Sequence, residues 1–494
     1  MADVDFDALA EDIDRLRTDI ATAEAHWAPW LHRVAPRHRR SAQNMVHYWA
    51  LRQHDLRGLQ TRLSALGLSS LGRCEPHVQA TADLIAAALT AMRGGGYHRP
   101  TAAAISVAEG PALLARRADE LLGRRRAERS VRIMVTLPSE AAEDPTLVED
   151  LIAAGMDVAR INCAHDDAPA WRAMAEHVGA AAAAAQRSCL VAMDLGGPKL
   201  RTVALGPKAG ALTLGGGDRL RLVPDDATAP ADIPCIATTL PELFDPIAVG
   251  DAMFFDDGKL GGVVESVGAE GIDVRIEHPA RGTARLKSGK GINVPDTDLA
   301  ISALTDKDVK DLATVVEIAD IVELSFVRDP VDVQRLLDEL DRRGADDLGV
   351  VLKIETRSAF EKLPQLLMTA MQRNRVGVMV ARGDLAVEVG YERMAEIQEE
   401  MLWLCEAAHL PVLWATQVLE RLAKKGQPTR AEVSDAAMGV RAECVMLNKG
   451  RYITDAVGAL DSILRRMEAH AYKKNSLLRT LTSWRPDAAT LRGR

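Results

Sequence analysis

The chain has 494 residues with an ordinary share of hydrophobic (47%) and charged (27%) residues, and its net charge at neutral pH is −9. Such a length predicts about two to four domains rather than one compact core. The negative charge argues against a general nucleic-acid or anionic-membrane binder, and we expect the basic clusters at 36–40 and 123–129 to be solvated surfaces or linkers.

The cysteines and the N-terminus indicate the cellular compartment. Six cysteines are scattered without a Cys-x-x-Cys pair, so neither a zinc site nor a disulfide framework is indicated. The N-terminal segment is acidic and amphipathic, unlike a signal peptide, and no segment has the ~18 uninterrupted apolar residues of a membrane span. We therefore expect a cytoplasmic protein that binds neither membranes nor nucleic acid.

The first part of the chain, residues 1–127, has apolar residues at three- and four-residue spacing, which predicts a helical N-terminal extension. From Arg132 the pattern changes to short apolar strands that alternate with helices, two of them expected at 146–154 and 169–185. This alternation is typical of parallel α/β folds.

Residues 202–297 are rich in Gly, Pro and Val and predict an inserted small β domain. Strand–helix alternation then resumes, and the two sides together give eight strands. This pattern favours an α/β fold in which 128–201 and 298–470 form a (β/α)8 TIM barrel, followed by a basic C-terminal tail at 471–494. A doubly wound open sheet is the alternative.

Polar side chains follow the predicted barrel strands, where TIM barrels carry their active sites. They are Arg160, Asn162, His165, Asp194, Lys199, Arg201, Lys353, Glu355, Arg382, Asp384 and Thr416. Each alone could be structural: Lys353 and Glu355 could form an interior ion pair, and Asp194 or Asp384 could cap a helix. Burying this much charge at one rim is costly without ligands or a metal, so the set favours a functional site.

The residue types indicate the chemistry. Glu355 and Asp384 are suitable ligands for a Mg²⁺ ion whose remaining coordination positions are filled by water and substrate oxygens. Gly383 would let backbone N–H groups approach a carboxylate or phosphate. Three cationic side chains suit phosphate groups: Arg160, Arg201 and Lys353. The sequence thus predicts a site for an anionic, phosphorylated small molecule.

Seven collinear segments between Arg132 and Leu464 carry a family resemblance. They read AGMDVARINCAH, MDLGGPKLRT, FFDDGKL, KSGKGINVP, LKIETRSAF, MVARGDLAVEV and ATQVLERLAKKGQPTRAEVSDAA. The chain resembles pyruvate kinases, and 202–297 is placed like the small β-barrel lid domain of that family. The resemblance implies phosphoryl transfer from phosphoenolpyruvate to ADP, giving pyruvate and ATP, with Mg²⁺ or Mn²⁺ as cofactor. We also expect a homo-oligomer.

The resemblance also implies roles for individual residues. Lys353 would bind the transferring phosphoryl group and stabilise the enolate, with Arg160 on the same phosphoryl group. Glu355 and Asp384 would hold the metal, the Gly383 backbone would bind the substrate carboxylate, and Thr416 would belong to a proton relay. The nucleotide phosphates would be bound by Asn162, His165, Arg201 and Lys290.

Three departures from the family pattern stand out. The loop at 447–457 lacks the usual serine and glutamate, and the C-terminal effector domain is expected to be missing. Ala164 and Leu195 stand where K⁺-dependent members carry serine and threonine, and Lys199 stands where they carry glutamate. Lys199 is therefore expected to replace the monovalent cation, so that K⁺ is not required; a damaged cation site beside a surface lysine is the alternative.

Two other functions stay open at this point. One is an enolate-handling, metal-dependent lyase of barrel fold, which would have no use for a nucleotide lid or for Lys290. The other is a degenerate kinase that acts as a binding protein through its N-terminal helices. Degeneration is argued against by the retention of Lys353, Glu355, Asp384, Arg160 and Thr416.

Overall fold

The structure is a computed structural model that describes residues 5–100, 104–205, 210–224, 233–473 and 475–476. Most of the predicted basic tail at 471–494 lies outside the described residues. Within the described part of the chain, no helix has the length and apolar character needed to cross a membrane.

The N-terminal extension is helical, as its apolar spacing predicts. Helix α1 begins after Asp5, whose carboxylate accepts hydrogen bonds from the first backbone N–H groups and so caps the helix. Its buried face repeats every three or four residues through Leu9, Ile13 and Leu16 and packs on the next helices. The helices are α1 (Phe6–Leu31), α2 (Arg39–Leu51), α3 (Arg57–Ala65), α4 (Val78–Met92) and α5 (Glu109–Leu122).

The alternating region begins with three barrel strands and two helices. In chain order these are β1 (Arg132–Thr136), α6 (Pro145–Ala154), β2 (Val158–Asn162), α7 (Ala168–Ala184) and β3 (Leu190–Asp194). Both helices start after an aspartate cap, Asp144 before α6 and Asp167 before α7, and both have a proline in their first two positions. The observed bounds lie within one residue of the helices expected from the sequence.

The inserted β domain leaves from the carboxyl end of β3 and has its own apolar core. Its strands pair as a seven-stranded sheet and a two-stranded sheet formed by β5 and β11. The strands are β4 (Thr202–Val203), β5 (Leu212–Gly215), β6 (Arg219–Pro224), β7 (Cys235–Thr238), β8 (Ala252–Phe255), β9 (Leu260–Gly268), β10 (Gly271–His278), β11 (Thr283–Leu286) and β12 (Ile292–Asn293).

The second part of the barrel supplies the remaining five strands, each followed by helix. In chain order the elements are α8 (Asp306–Ile318), β13 (Ile321–Leu324), α9 (Pro330–Arg342), β14 (Gly349–Ile354), α10 (Arg357–Glu361), α11 (Leu363–Ala370), β15 (Val376–Ala381), α12 (Arg382–Val389), α13 (Tyr391–Ala407), β16 (Val412–Ala415), α14 (Glu420–Lys425), α15 (Arg430–Met438), β17 (Cys444–Leu447) and α16 (Ile453–Met467). A short β18 (Ala471–Tyr472) pairs with β19 (Asn475–Ser476).

The eight strands close into a barrel in the order β1, β2, β3, β13, β14, β15, β16, β17, and every neighbouring pair is parallel. The predicted (β/α)8 barrel is therefore confirmed, and the open doubly wound sheet is wrong. Because all eight carboxyl ends lie at one mouth, the polar strand ends are brought to the same side.

The opposite mouth of the barrel is filled by the end of α5. Leu121 and Leu122 are buried among interior side chains of the barrel strands. A Cβ built on Gly349 or Gly377, at the beginnings of β14 and β15, would lie 2.6 or 2.5 Å from a Leu121 methyl group. The N-terminal extension thus completes the barrel core, and glycine at these two positions makes room for it.

We expect Gly377→Ala to lower the free energy of unfolding by about 1–3 kcal/mol, the usual cost of overpacking a core. Urea denaturation followed by circular dichroism would measure this. Gly179→Ala is the matched control, since that helical glycine has nothing within 4 Å of an added Cβ and alanine favours helix. Equal stability of Gly377→Ala and wild type would contradict the packing of Leu121.

Candidate active site

A cavity of about 390 Å³ lies at the carboxyl mouth of the barrel. Its wall brings together most of the side chains that the sequence singles out: Arg160, Asn162, His165, Asp194, Lys199, Arg201, Lys353, Glu355, Asp384 and Thr416. Side chains from five barrel strands and the loops that follow them therefore share one site.

Lys353 lies at the floor of the cavity and is nearly fully buried. Its Nζ is 3.0 and 3.1 Å from the two carboxylate oxygens of Asp194, 3.2 Å from Oε1 of Glu355 and 2.7 Å from the Ser325 hydroxyl. Burial would lower the pKa of Lys353, but the carboxylates of Asp194 and Glu355 outweigh it and hold the pKa above its ordinary value. The ammonium group is therefore charged over the physiological pH range.

Asp194 joins two cations at the barrel floor. Its carboxylate contacts Lys353 and the Nη2 of Arg160, and it accepts a hydrogen bond of 2.8 Å from Ser325. Arg160 also donates from Nη1 to Thr136 at 2.7 Å and from Nε to Glu323 at 3.1 Å. The two cations are thus held by buried carboxylates, with their position set by protein contacts before any substrate binds.

Glu355 and Asp384 are the carboxylates expected to hold a metal. Oε2 of Glu355 accepts a 2.7 Å hydrogen bond from the Phe326 backbone N–H. Burial raises the pKa of Glu355; Lys353 opposes this, and the nearby carboxylates of Asp384 and Asp194 add to it. A divalent cation would relieve this repulsion, so the donor set fits one. The described residues contain no group of three or more His, Cys, Asp or Glu placed for a metal, so other ligands would come from water and substrate.

Lys199 reaches across the site from the loop after β3. Its Nζ lies 2.8 and 3.0 Å from the two carboxylate oxygens of Asp384 and 5.5 Å from the centre of the Phe326 ring. The resemblance places a monovalent cation near Asn162 and Asp194, whereas the ammonium group contacts a carboxylate proposed to bind the divalent metal. The positive charge of Lys199 is nevertheless inside the cavity, and it is not a surface lysine.

Arg382 and Asp384 both follow β15, but only Asp384 lines the cavity. The sequence singles out Arg382 as a strand-end residue, but in the structure it pairs with Asp435, donates to the Ala415 and Thr416 carbonyls and stacks on Trp414. It does not line the cavity; α12 begins at this residue, and the side chain packs against the end of β16. Arg382 therefore anchors the strand ends and does not face a ligand.

Thr416 and Gly383 face each other at this rim. A Cβ at Gly383 would lie 3.5 Å from the Thr416 hydroxyl. Thr416 has a φ of 65°, which is unfavourable for a β-branched residue, and its buried hydroxyl has no hydrogen-bond partner among the described residues. A strained residue with an unpaired hydroxyl in a cavity points to a functional role.

The residues expected to bind a nucleotide come from the end of β2, from the loops after β2 and β3, and from the β domain. Asn162 accepts a 2.9 Å hydrogen bond from the Ala164 N–H and so shapes the loop after β2, and Arg201 donates to the Gly289 carbonyl at 3.1 Å. Burial, followed by the charge of Lys449, lowers the pKa of His165. Lys290 lies outside the cavity wall formed by the described residues and pairs with Asp256 in the β domain at 2.9 Å.

Sequence reasoning missed several residues of the site. Glu323 and Ser325 follow the alternation of β13 into the barrel interior, and this period of two was the signal that could have revealed them. Lys449, in the loop that departs from the family pattern, and Lys424 also line the cavity and add positive charge.

Comparison with known proteins identifies the family of this barrel. The family model described as "Pyruvate kinase, barrel domain" matches residues 128–457. The chain belongs to the pyruvate kinase family. The match spans both halves of the barrel and the inserted domain, and it ends ten residues before the last residue of α16.

Three pyruvate kinases illustrate the similarity. The chain is 32% identical over 363 residues to pyruvate kinase PKLR of Rattus norvegicus, covering 70% of this chain and 61% of that protein. It is 30% identical over 347 residues to the Bacillus licheniformis pyruvate kinase (69% and 57% covered) and 35% identical over 346 residues to that of Mycobacterium intracellulare (68% and 70%). The matched region thus spans about three fifths of the first two relatives.

Proposed function

We propose that this protein transfers the phosphoryl group of phosphoenolpyruvate to ADP, giving pyruvate and ATP. The observation that carries the proposal is the buried, charged Lys353 held between Asp194 and Glu355 beside Arg160 at the carboxyl mouth of the barrel. Two cations next to two candidate metal ligands suit a substrate that carries a phosphoryl group and a carboxylate.

The chemical role of Lys353 follows from its position and charge. When the phosphoryl group leaves phosphoenolpyruvate, negative charge develops on the enolate oxygen. A fixed ammonium group in a partly water-excluded site stabilises that charge without reorganising at the moment of reaction. Arg160 would bind the phosphoryl oxygens, and the Gly383 backbone would bind the substrate carboxylate.

Thr416 would take part in delivering a proton to the enolate carbon. Its hydroxyl is buried and unpaired among the described residues, so it is available to hold a water molecule or to pass a proton. The nucleotide phosphates would be bound by Asn162, His165, Arg201 and, from the β domain, Lys290.

Glu355 and Asp384 would hold Mg²⁺ or Mn²⁺, which when bound supplies positive charge to the substrate oxygens. We expect Glu355→Gln and Asp384→Asn each to weaken Mg²⁺ binding at least about tenfold, because a neutral amide oxygen binds a hard cation poorly. Isothermal titration with Mg²⁺ in the presence of phosphoenolpyruvate would measure this. Glu339→Gln, on the outer helix α9, is the control. Unchanged affinity in both site variants would exclude these ligands.

We further propose that K⁺ is not required. Ala164 and Leu195 supply no side-chain oxygen, and both oxygens of Asp194 are already bound by Arg160, Lys353 and Ser325. The ammonium group of Lys199 would supply the positive charge that a bound cation gives elsewhere in the family.

We expect substantial activity in K⁺-free buffer whose ionic strength is held by tetramethylammonium, and loss of activity in Lys199→Glu, which places a carboxylate against Asp384. Steady-state assays with and without K⁺ would measure both effects. Partial rescue by K⁺ of Lys199→Glu that also carries Leu195→Thr and Ala164→Ser would support charge replacement. A wild-type protein that is silent without K⁺ and strongly activated by it would contradict this proposal.

The overall proposal is tested by a lactate dehydrogenase-linked assay of pyruvate formation from phosphoenolpyruvate. We expect pyruvate only when both ADP and Mg²⁺ are present. Pyruvate formation without ADP would indicate that water, not ADP, accepts the phosphoryl group. No pyruvate under any condition would favour a binding protein.

A further inference from the structure

Glu323 is a buried carboxylate that the proposed chemistry does not use. It lies on β13 with its side chain in the barrel interior and is fully buried. Its Oε2 accepts the 3.1 Å hydrogen bond from Nε of Arg160, while Oε1 is buried and has no hydrogen-bond partner among the residues described. Burying an ionised carboxylate with one unpaired oxygen costs free energy, because each buried oxygen loses its hydrogen bonds to water.

Titratable groups from four other barrel strands lie close to Glu323. Arg160 comes from β2, Asp194 from β3, Lys353 from β14, and the Cys444 thiol from β17. Burial and then the Asp194 carboxylate raise the pKa of Glu323 to about 7, although Arg160 and Lys353 oppose this. The carboxyl group can therefore change its charge near neutral pH, unlike an ordinary glutamate.

Glu323 also competes with a ligand for Arg160. A guanidinium group has five N–H donors. In this site Glu323, Asp194 and Thr136 each accept from one of its nitrogen atoms, so N–H groups on Nη1 and Nη2 are left for an incoming anion. Two carboxylates on one guanidinium cancel its positive charge, and an ionised Glu323 repels any phosphoryl oxygen that approaches Arg160.

We propose that Glu323 is a proton-linked positioning residue. Its carboxylate holds Arg160 in the empty site, and it takes up one proton from solvent when the phosphoryl group binds, which leaves the charge of Arg160 for that group. The inference rests on the proposed function for the identity of the anion. It adds that the protonation of Glu323 sets the affinity of the site for that anion.

The direction of the effect follows from the sign of the charges. An anionic substrate binds better when Glu323 is neutral, so affinity is highest at acidic to neutral pH and falls as the carboxyl ionises. With one proton linked to binding, the KM for phosphoenolpyruvate should rise by up to about tenfold per pH unit above neutrality. Glu323→Gln mimics the neutral form and still offers an oxygen to Arg160.

The first test compares KM and kcat against pH for the wild type, Glu323→Gln and the control Glu339→Gln. We expect the KM of Glu323→Gln to match the wild type near pH 6 and to be several-fold lower at pH 8.5, while Glu339→Gln follows the wild type throughout. A merely structural role would raise KM or lower kcat at every pH. Parallel KM profiles of wild type and Glu323→Gln would overturn the proposal.

The second test uses sulfate, a phosphoryl mimic that does not titrate near neutrality, and needs no catalytic activity. Calorimetric titration of wild-type protein with sulfate near pH 7.5, in two buffers of different ionisation enthalpy, should show uptake of up to one proton per anion, and Glu323→Gln should show little. Proton uptake with no pyruvate formation would remove the proposed function and leave the proton-linked anion site standing. Sulfate binding without proton uptake, or no sulfate binding, would overturn the inference.

Discussion

Lys353→Met is expected to keep the fold and to lower turnover by at least about a hundredfold. The substitution removes the ammonium group that meets the developing enolate charge, and loss of one such donor in other enzymes costs about 10²–10³ in kcat. A hundredfold loss corresponds to about 2.7 kcal/mol of transition-state stabilisation. Because the interaction is strongest in the transition state, kcat should fall much more than KM changes.

Steady-state assays of phosphoenolpyruvate turnover, with circular dichroism to verify the fold, would measure this effect. Lys310→Met is the matched control, since Lys310 is exposed on α8 away from the cavity. A folded Lys353→Met protein that retains more than about a tenth of wild-type turnover would contradict the role given to Lys353.

Asp194→Leu is expected to lower the free energy of unfolding by about 3–5 kcal/mol and to abolish turnover. Removing one partner of a buried charge network leaves uncompensated charge in a low-dielectric interior. Here both Lys353 and Arg160 would lose the carboxylate that they share. The double variant Asp194→Leu/Lys353→Met should recover part of the stability, because it removes one of the two buried cations that have lost the carboxylate.

The pH dependence of unfolding gives a further readout of Asp194. Burial alone would raise the pKa of Asp194, but Lys353 and Arg160 outweigh it and hold the pKa below its ordinary value. A lowered folded-state pKa contributes stability that is present above the ordinary carboxyl range and is lost as the pH falls through it. Urea denaturation between neutral and acid pH should show this loss in wild type and a smaller one in Asp194→Leu. Equal stability of the two proteins at neutral pH would contradict the network.

Regular features of the sequence predicted the barrel and most of its site. Alternating strands and helices give parallel strands, and parallel strands bring their carboxyl ends together, so Lys353, Glu355 and Asp384 could be placed at one mouth without a structure. The filling of the opposite mouth by Leu121 was not predictable, because nothing in the pattern of α5 shows which apolar residue enters the barrel.

Other features depend on contacts that chain order does not show. Lys199 and Asp384 are 185 residues apart, and only the folded chain brings the Lys199 ammonium group to the Asp384 carboxylate. Arg382 follows a strand as the site residues do, yet its side chain pairs with Asp435. Glu323 reads as one polar residue in an apolar strand, and only its closeness to Arg160 and Asp194 shows that its charge matters.

The most direct measurement of the central claim is a ³¹P NMR time course with wild-type protein, phosphoenolpyruvate, ADP and Mg²⁺. We predict that the phosphoenolpyruvate signal decays as the γ-phosphate signal of ATP grows in equal amount, and that Lys353→Met slows both changes together. Decay of phosphoenolpyruvate into inorganic phosphate, or an unchanged spectrum at high protein concentration, would contradict phosphoryl transfer to ADP.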